Sequence, residues 1–239
     1  MKTKLSVNIN KIATLRNARG ADYPSVAEFG KLVQEFGADG VTIHPRPDER
    51  HIKYNDAKIL RSLVHTELNI EGNPIPKFID LVLEVKPEQV TLVPDDPNQL
   101  TSDHGWDTVK HRDYLVEIIQ EFKKNGIRTS IFVDPIPEML EGAVQTGTDR
   151  IELYTESYAA EYAKGNAAKL IGAFSQASKL GHSLGLGINA GHDLNLQNIA
   201  YFKNNLPFLD EVSIGHALVV ESLLYGMENV IQMYQNKLK

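Results

Sequence analysis

Short runs rich in β-branched and aliphatic residues alternate along this chain with longer stretches in which apolar residues recur every three or four positions. The first pattern fits strands and the second amphipathic helices. Their alternation over the whole length predicts parallel β/α units rather than a sandwich or a helical bundle. The predicted strands are Lys4 to Asn10, Gly40 to His44, Glu67 to Glu71, Gln89 to Val93, Arg128 to Val133, Arg150 to Tyr154, Ser183 to Asn189 and Glu211 to Ile214. Between them, helices are predicted over Val26 to Phe36, Asp56 to His65, Pro76 to Val85, Arg112 to Lys124, Pro137 to Thr146, Ala159 to Leu180 and Ala217 to Tyr234. Phe36-Gly37-Ala38-Asp39-Gly40-Val41 reads as a helix end, a glycine stop and a buried strand, and Asn125-Gly126-Ile127 and Thr146-Gly147-Thr148-Asp149-Arg150-Ile151 repeat it. Eight such strands in a chain of this length match the usual size of a closed (β/α)8 TIM barrel, about 250 residues. An open doubly wound sheet is the main competitor, but no Gly-x-Gly-x-x-Gly follows a predicted strand. With no linker, low-complexity segment or like-charge block, residues 1–239 are expected to form a single domain.

Composition narrows the functions. The 239 residues carry 25 basic and 31 acidic side chains, a net charge of -6, which disfavours a general nucleic-acid surface but leaves room for local basic pockets that hold small anions. The absence of cysteine removes disulfides, thiolate catalysis, Cys-ligated zinc and iron–sulfur clusters, and fits a reducing compartment. No apolar run reaches the about 18 residues of a membrane span, and the opening residues lack a signal-peptide layout, so a cytoplasmic location with no membrane partner is expected.

In a barrel the chemistry collects where strands end. Asn8-Ile9-Asn10-Lys11 closes the first predicted strand, His44-Pro45-Arg46 the second, Glu71 the third, Asn189 with nearby His192 the seventh, and Gly215-His216 the eighth. One polar strand end merely meets solvent; five together suggest a common mouth. Residues 44–51 place two histidines and the arginines Arg46 and Arg50 in a loop restricted by two prolines, and the planar guanidinium fork suits phosphate oxygens. A metal site from His44, Asp48, Glu49 and His51 fits no standard zinc spacing, and the arginines would repel a cation. Arg16 or Arg19, after the first strand, could serve as a phosphate clamp or belong to a solvated helix face. Glu71 ends an apolar run, where burial would raise its pKa toward that of a general base. Gly191 would free the backbone before His192, an imidazole able to give or take a proton near neutrality. Ser213-Ile-Gly-His-Ala217 leads into a helix whose first N–H groups would bind an anion. His65, His104, His111 and His182 lack such company.

With these motifs in place, the sequence resembles the pyridoxine 5′-phosphate synthase family of vitamin B6 biosynthesis. The resemblance is carried by Val7-Asn-Ile-Asn-Lys-Ile-Ala-Thr-Leu-Arg-Asn-Ala-Arg-Gly20, Gly37-Ala-Asp-Gly-Val-Thr-Ile-His-Pro-Arg46, Asp48-Glu-Arg-His-Ile52, Leu92-Val-Pro94, Asn189-Ala-Gly-His192 and Ile214-Gly-His216. It implies a barrel with extra helices, a homo-octamer, and condensation of 3-amino-2-oxopropyl phosphate with 1-deoxy-D-xylulose 5-phosphate. It also implies His44 and Glu71 as proton acceptors and His192 as proton donor. Asn8, Arg19, Asp193, Gly215 and His216 match contacts to the aminoketone phosphate; Arg46, His51 and Thr101 match contacts to the pentulose phosphate. Two departures stand out. Asn10-Lys11 replaces the family's Asp-His, which leaves substrate binding open to both residues but removes proton shuttling. Asp193 replaces a glycine and brings a negative charge near a phosphate; turning away to cap a helix beginning near Leu194 would relieve the repulsion.

The implied reaction moves protons on and off several atoms, which a Glu and two His residues can serve without a metal or organic cofactor. Arg19, Arg46, Lys11 and the last helix N-terminus would balance the two phosphates. The loop from Pro94 to Asp107 is the expected lid over the intermediates. Two other readings remain: a phosphosugar aldolase or isomerase on the same barrel, the aldolase using Lys11 as a Schiff-base amine, and a non-catalytic phosphometabolite-binding protein.

Overall fold

The computed structural model describes residues 2–95 and 102–239. Its strands are β1 (Lys4–Asn8), β2 (Gly40–Ile43), β3 (Glu67–Gly72), β4 (Gln89–Leu92), β5 (Arg128–Val133), β6 (Arg150–Leu153), β7 (Gly187–Ala190) and β8 (Leu209–Ile214). They hydrogen-bond in sequence order, and β8 returns to β1 to close a parallel barrel. Around it lie α1 (Asn10–Asn17), α2 (Val26–Glu35), α3 (Tyr54–Arg61), α4 (Pro76–Val85), α5 (Arg112–Lys124), α6 (Pro137–Thr146), α7 (Glu156–Ala163), α8 (Ala168–Ser183), α9 (Ile199–Asn205), α10 (His216–Tyr225) and α11 (Met227–Lys237). The expected (β/α)8 barrel with extra helices is therefore the architecture found.

Period-two alternation in the strands divides the barrel into two environments. Leu5, Val7, Val41, Ile43, Leu68, Ile70, Ile131 and Ile151 are fully buried in the core beneath the helices, each such side chain contributing about 1.5–3 kcal/mol of hydrophobic burial. Most of the intervening positions are polar and many of them buried, and their hydrogen bonds run around and across the lumen. Ser6 meets Thr42 at 2.6 Å, Thr91 donates to Asn69 at 3.1 Å, and Gln89 of β4 reaches Glu211 of β8 at 3.4 Å. A lumen of this kind needs internal partners for each polar group, and these networks supply many of them.

The first predicted strand stops at Asn8, with Asn10 already opening α1, the helix expected through His65 ends at Arg61, and three other predicted elements differ more. The stretch Ala159 to Leu180 is two helices, α7 and α8, with Gly165 at φ 79° between them. Ala217 to Tyr234 is likewise divided into α10 and α11 at Gly226, also at φ 79°. Both glycines adopt a left-handed backbone that ends a helix, while the apolar periodicity runs on across the break. The predicted strand from Ser183 starts only at Gly187, because α8 continues through Ser183 and Gly185 then turns the chain.

Candidate active site

The ends of β1, β2, β3 and β8 are tied together through Glu71. Asn8, the last residue of β1, accepts the Asn10 backbone N–H on Oδ1 (3.0 Å) and donates through Nδ2 to Glu71 Oε2 (3.4 Å). Ser213 of β8 donates to the other carboxyl oxygen, Oε1, at 3.5 Å. His44, just beyond β2, lies with Nδ1 3.9 Å from Glu71 Oε2, and its backbone N–H donates to Asn10 Oδ1 at 2.8 Å. Asn10 thus orients the chain at His44 with its amide oxygen, a task that needs no ionisable group. Gly215 passes so close to Asn8 that a β-carbon there would sit 3.1 Å from the Asn8 carboxamide.

Burial, followed by the charges of Glu152 and Asp95, raises the Glu71 carboxyl well above its usual range. Burial, helped by the cations Arg46 and Arg50, pushes His44 down to about 3. The pair therefore rests as a neutral acid beside a neutral imidazole, not as an ion pair.

The loop after β2 is braced from two sides. Arg46 is buried and donates from Nη1 to Asp95 Oδ2 at 3.0 Å, and Ser102 donates to the same oxygen at 2.9 Å. His51 Nδ1 accepts the Ile52 backbone N–H at 2.9 Å; its ring lies 6.2 Å from that of His44, and burial pushes it down to about 3. Arg16 grips both oxygens of Asp56, at 2.6 and 2.8 Å, and donates to the His51 carbonyl at 3.1 Å. Of the two arginines that could serve as a phosphate clamp, Arg16 is thus occupied in fastening α1 to the loop, and it is buried instead of lying on a solvated face. Arg19, beyond the end of α1, and Lys11, on α1, are exposed. Thr101 and part of the expected lid lie outside the described residues. Of the rest of that loop, Gly105 donates to Asp134 at 3.0 Å, and Ser102 O accepts from the Tyr154 hydroxyl at 3.3 Å.

The facing wall comes from β6 and β7. Gly191 is needed for close approach, not for freedom of φ: a β-carbon there would lie 2.2 Å from the Ser213 carbonyl oxygen. The left-handed residue is instead Asp193, at φ 65°. Its side chain does not cap a helix as expected, since α9 begins only at Ile199; Oδ2 lies 2.6 Å from His192 Nδ1. The Thr155 hydroxyl donates to the His192 carbonyl, and the rings of Tyr154 and Phe132 stand 5.5 and 6.5 Å from the imidazole. Burial alone lowers His192, but the Asp193 hydrogen bond and charge, with Glu152 and Asp95, outweigh it and raise the imidazole above its usual value. His216, exposed, begins α10, with Gly215 at its N-terminal cap.

Glu152 is the residue that strand-end reasoning missed. It lies one position before the end of β6, buried, with Oε1 3.3 Å from where a Gly191 β-carbon would stand. Burial and the Glu211 charge push its carboxyl up to about 8. The available signal was an ionisable side chain inside the apolar run Ile151-Glu-Leu153.

A parallel barrel that gathers two carboxyl groups, imidazoles and a buried guanidinium at the carboxyl ends of its strands defines a TIM-barrel enzyme working by acid–base chemistry on an anionic substrate. The chain belongs to the family of the pyridoxal phosphate biosynthesis protein PdxJ, whose model matches residues 5–239. It is 66% identical over 237 residues to a pyridoxine 5′-phosphate synthase of Christiangramia forsetii, covering 99% of this chain and 100% of that relative. It is 62% identical over 237 residues to the synthase of Flavobacterium johnsoniae, with the same coverage of 99% and 100%. Among solved structures, a 3-keto-L-gulonate-6-phosphate decarboxylase from Vibrio cholerae superposes with a TM-score of 0.66 at 11% identity, covering 100% of this chain and 98% of that one. A phosphoribosylanthranilate isomerase from Thermotoga maritima does so with 0.61 at 13% identity, covering 99% and 98%. At such identities the likeness concerns the fold alone.

Proposed function

We propose that this chain is a pyridoxine 5′-phosphate synthase that condenses 3-amino-2-oxopropyl phosphate with 1-deoxy-D-xylulose 5-phosphate, releasing inorganic phosphate and water. The observation that carries the reading is the convergence on Glu71 of Asn8, Ser213 and His44 from three other strands or strand ends, with His192 on the facing wall. The amine nitrogen attacks the pentulose ketone, water leaves to give an imine, phosphate is eliminated, a carbon–carbon bond closes the ring, and a second water leaves as the ring becomes aromatic. His44, kept neutral, accepts a proton at its ring nitrogen. Glu71, kept protonated by burial, gives its proton to the hydroxyl that leaves as water when the cationic imine forms, and the carboxylate left behind then accepts a proton from the substrate. His192 donates to the departing oxygen.

Arg46 and His51, with Thr101, hold the pentulose phosphate in this reading. Asn8, Arg19, the Asp193 backbone, Gly215 and His216 hold the aminoketone phosphate at the start of α10, where helix N–H groups favour an anion. Asn10 sets the His44 backbone, and Lys11 adds positive charge at the rim. No metal or organic cofactor takes part. Phosphorylated substrates do not cross membranes unaided, so the reaction belongs in the cytoplasm. Among the described residues no helix is long and apolar enough to cross a membrane. The exposed apolar side chains Val220, Leu223, Leu224 and Tyr225 on α10 support self-association, which in this reading gives an octamer; sedimentation of the purified chain should return the mass of eight copies.

Mixing the purified chain with both substrates should yield pyridoxine 5′-phosphate, followed by its absorbance, and free phosphate in equal amount. Binding without product would mark a phosphometabolite-binding protein. Borohydride trapping of substrate on Lys11 would mark an aldolase, a reading the exposed position of Lys11 on α1 does not favour.

A further inference from the structure

We propose that the Asp193 side chain is the positioning partner of His192, holding the ring by Nδ1 so that Nε2 is the atom that delivers the proton; this rests on His192 being the donor. A carboxylate on one ring nitrogen fixes the tautomer and orientation of an imidazole and leaves the other nitrogen to exchange protons.

The geometry comes from an unusual backbone. At φ 65° a residue with a β-carbon is uncommon, and Asp is one of the few tolerated there. The turn brings the carboxylate of Asp193 against its own neighbour, with Oδ2 2.6 Å from His192 Nδ1. The rest of His192 is held independently. Its carbonyl accepts the Thr155 hydroxyl, and its ring is flanked edge-on by Tyr154 and Phe132. The arrangement also answers the difficulty of an acidic residue beside a phosphate. The carboxylate is turned onto the His192 ring, and the His216 side chain, which opens α10, also acts on it.

Several other titratable groups act on this pair. Glu152 from β6 titrates near 8, and the Tyr154 hydroxyl is pushed up to about 12 by burial and nearby carboxylates. Asp95, beyond β4, adds negative charge from across the mouth. With Glu152 and Tyr154 largely neutral at pH 7, Asp193 is the principal charge sustaining a protonated His192. A chain with glycine at this position has a donor that loses its proton at lower pH; here the donor stays loaded further into the alkaline range.

The test uses Asp193→Gly, which relaxes the left-handed backbone and so should fold, and Asp193→Asn, which keeps a polar group without the charge. Imidazole NMR titration, with the His192 signal assigned by its loss in His192→Asn, is run beside kcat–pH profiles with both substrates. In Asp193→Gly the His192 midpoint should fall by about one pH unit, the alkaline limb of kcat should fall with it, and KM should change little, with Asp193→Asn intermediate. An unchanged midpoint overturns the proposal, whatever the rates do. A lowered midpoint with an unmoved kcat limb overturns both the catalytic part of the proposal and His192 as donor. A moved limb with an unmoved midpoint means that Asp193 acts on the substrate directly, and overturns the positioning role.

Discussion

At the scale of single residues, the site turns on where protons rest before substrate arrives. Glu71 is kept protonated because its carboxyl is buried among other acids, and His44 is kept neutral because it is buried among arginines. A neutral His44 remains an acceptor throughout the working pH range, since its own protonation waits until about pH 3. Glu71→Gln preserves size and a hydrogen-bonding end for Asn8 and Ser213 while removing the exchangeable proton. It should fold with an unchanged or slightly higher melting temperature and lose at least about tenfold in kcat, checked by steady-state rates beside thermal melts. Polar strand ends were legible in the sequence because position in a barrel follows from strand order. The division of labour between Arg16 and Arg19 was not. Both follow the same strand, and only the approach of Asp56, forty residues away, occupies one of them.

At the scale of elements, α1 and the loop after β2 behave as one unit. Arg16 and Asp56 are both largely buried, so breaking the pair leaves an uncompensated charge in a poorly solvated place. Arg16→Ala should cost about 3–5 kcal/mol, measured by urea unfolding. It should also raise KM for the pentulose, because His51, whose carbonyl Arg16 holds, loses its anchor. The strand ladder was legible from alternation, and the αβ joints from their glycines. Helix divisions at Gly165 and Gly226 were not, because apolar periodicity reports a buried face and continues where two successive helices bury the same one.

At the scale of the whole molecule, the polar lumen makes stability depend on pH. Glu152 has a folded value near 8 against an ordinary 4.5, so the native state binds more protons than the unfolded chain between those values and loses stability as pH rises through them. Glu71 and His192, both raised, act in the same direction. His44 and His51, near 3 against 6.5, act oppositely, but only below about pH 6.5, where the unfolded histidines become charged. From pH 6.5 to 8 the raised groups are left unopposed. The urea midpoint should therefore fall over that interval, with Glu152 alone contributing on the order of 2 kcal/mol. A midpoint that holds steady or rises would mean that these carboxyls are ionised in the native barrel.

Strand periodicity, glycine joints and the order of elements were properties of local sequence, since a parallel β/α chain of this length has few ways to bury its apolar faces. The same was true of the mouth's location and most of its polar residues. Proton states, the fastening role of Arg16, the inward Glu152 and the pairing of Asp193 with His192 were settled by assembly. Each depends on which charges and backbone atoms lie within a few ångströms after strands distant along the chain have closed into a ring, and no spacing within one segment encodes that distance.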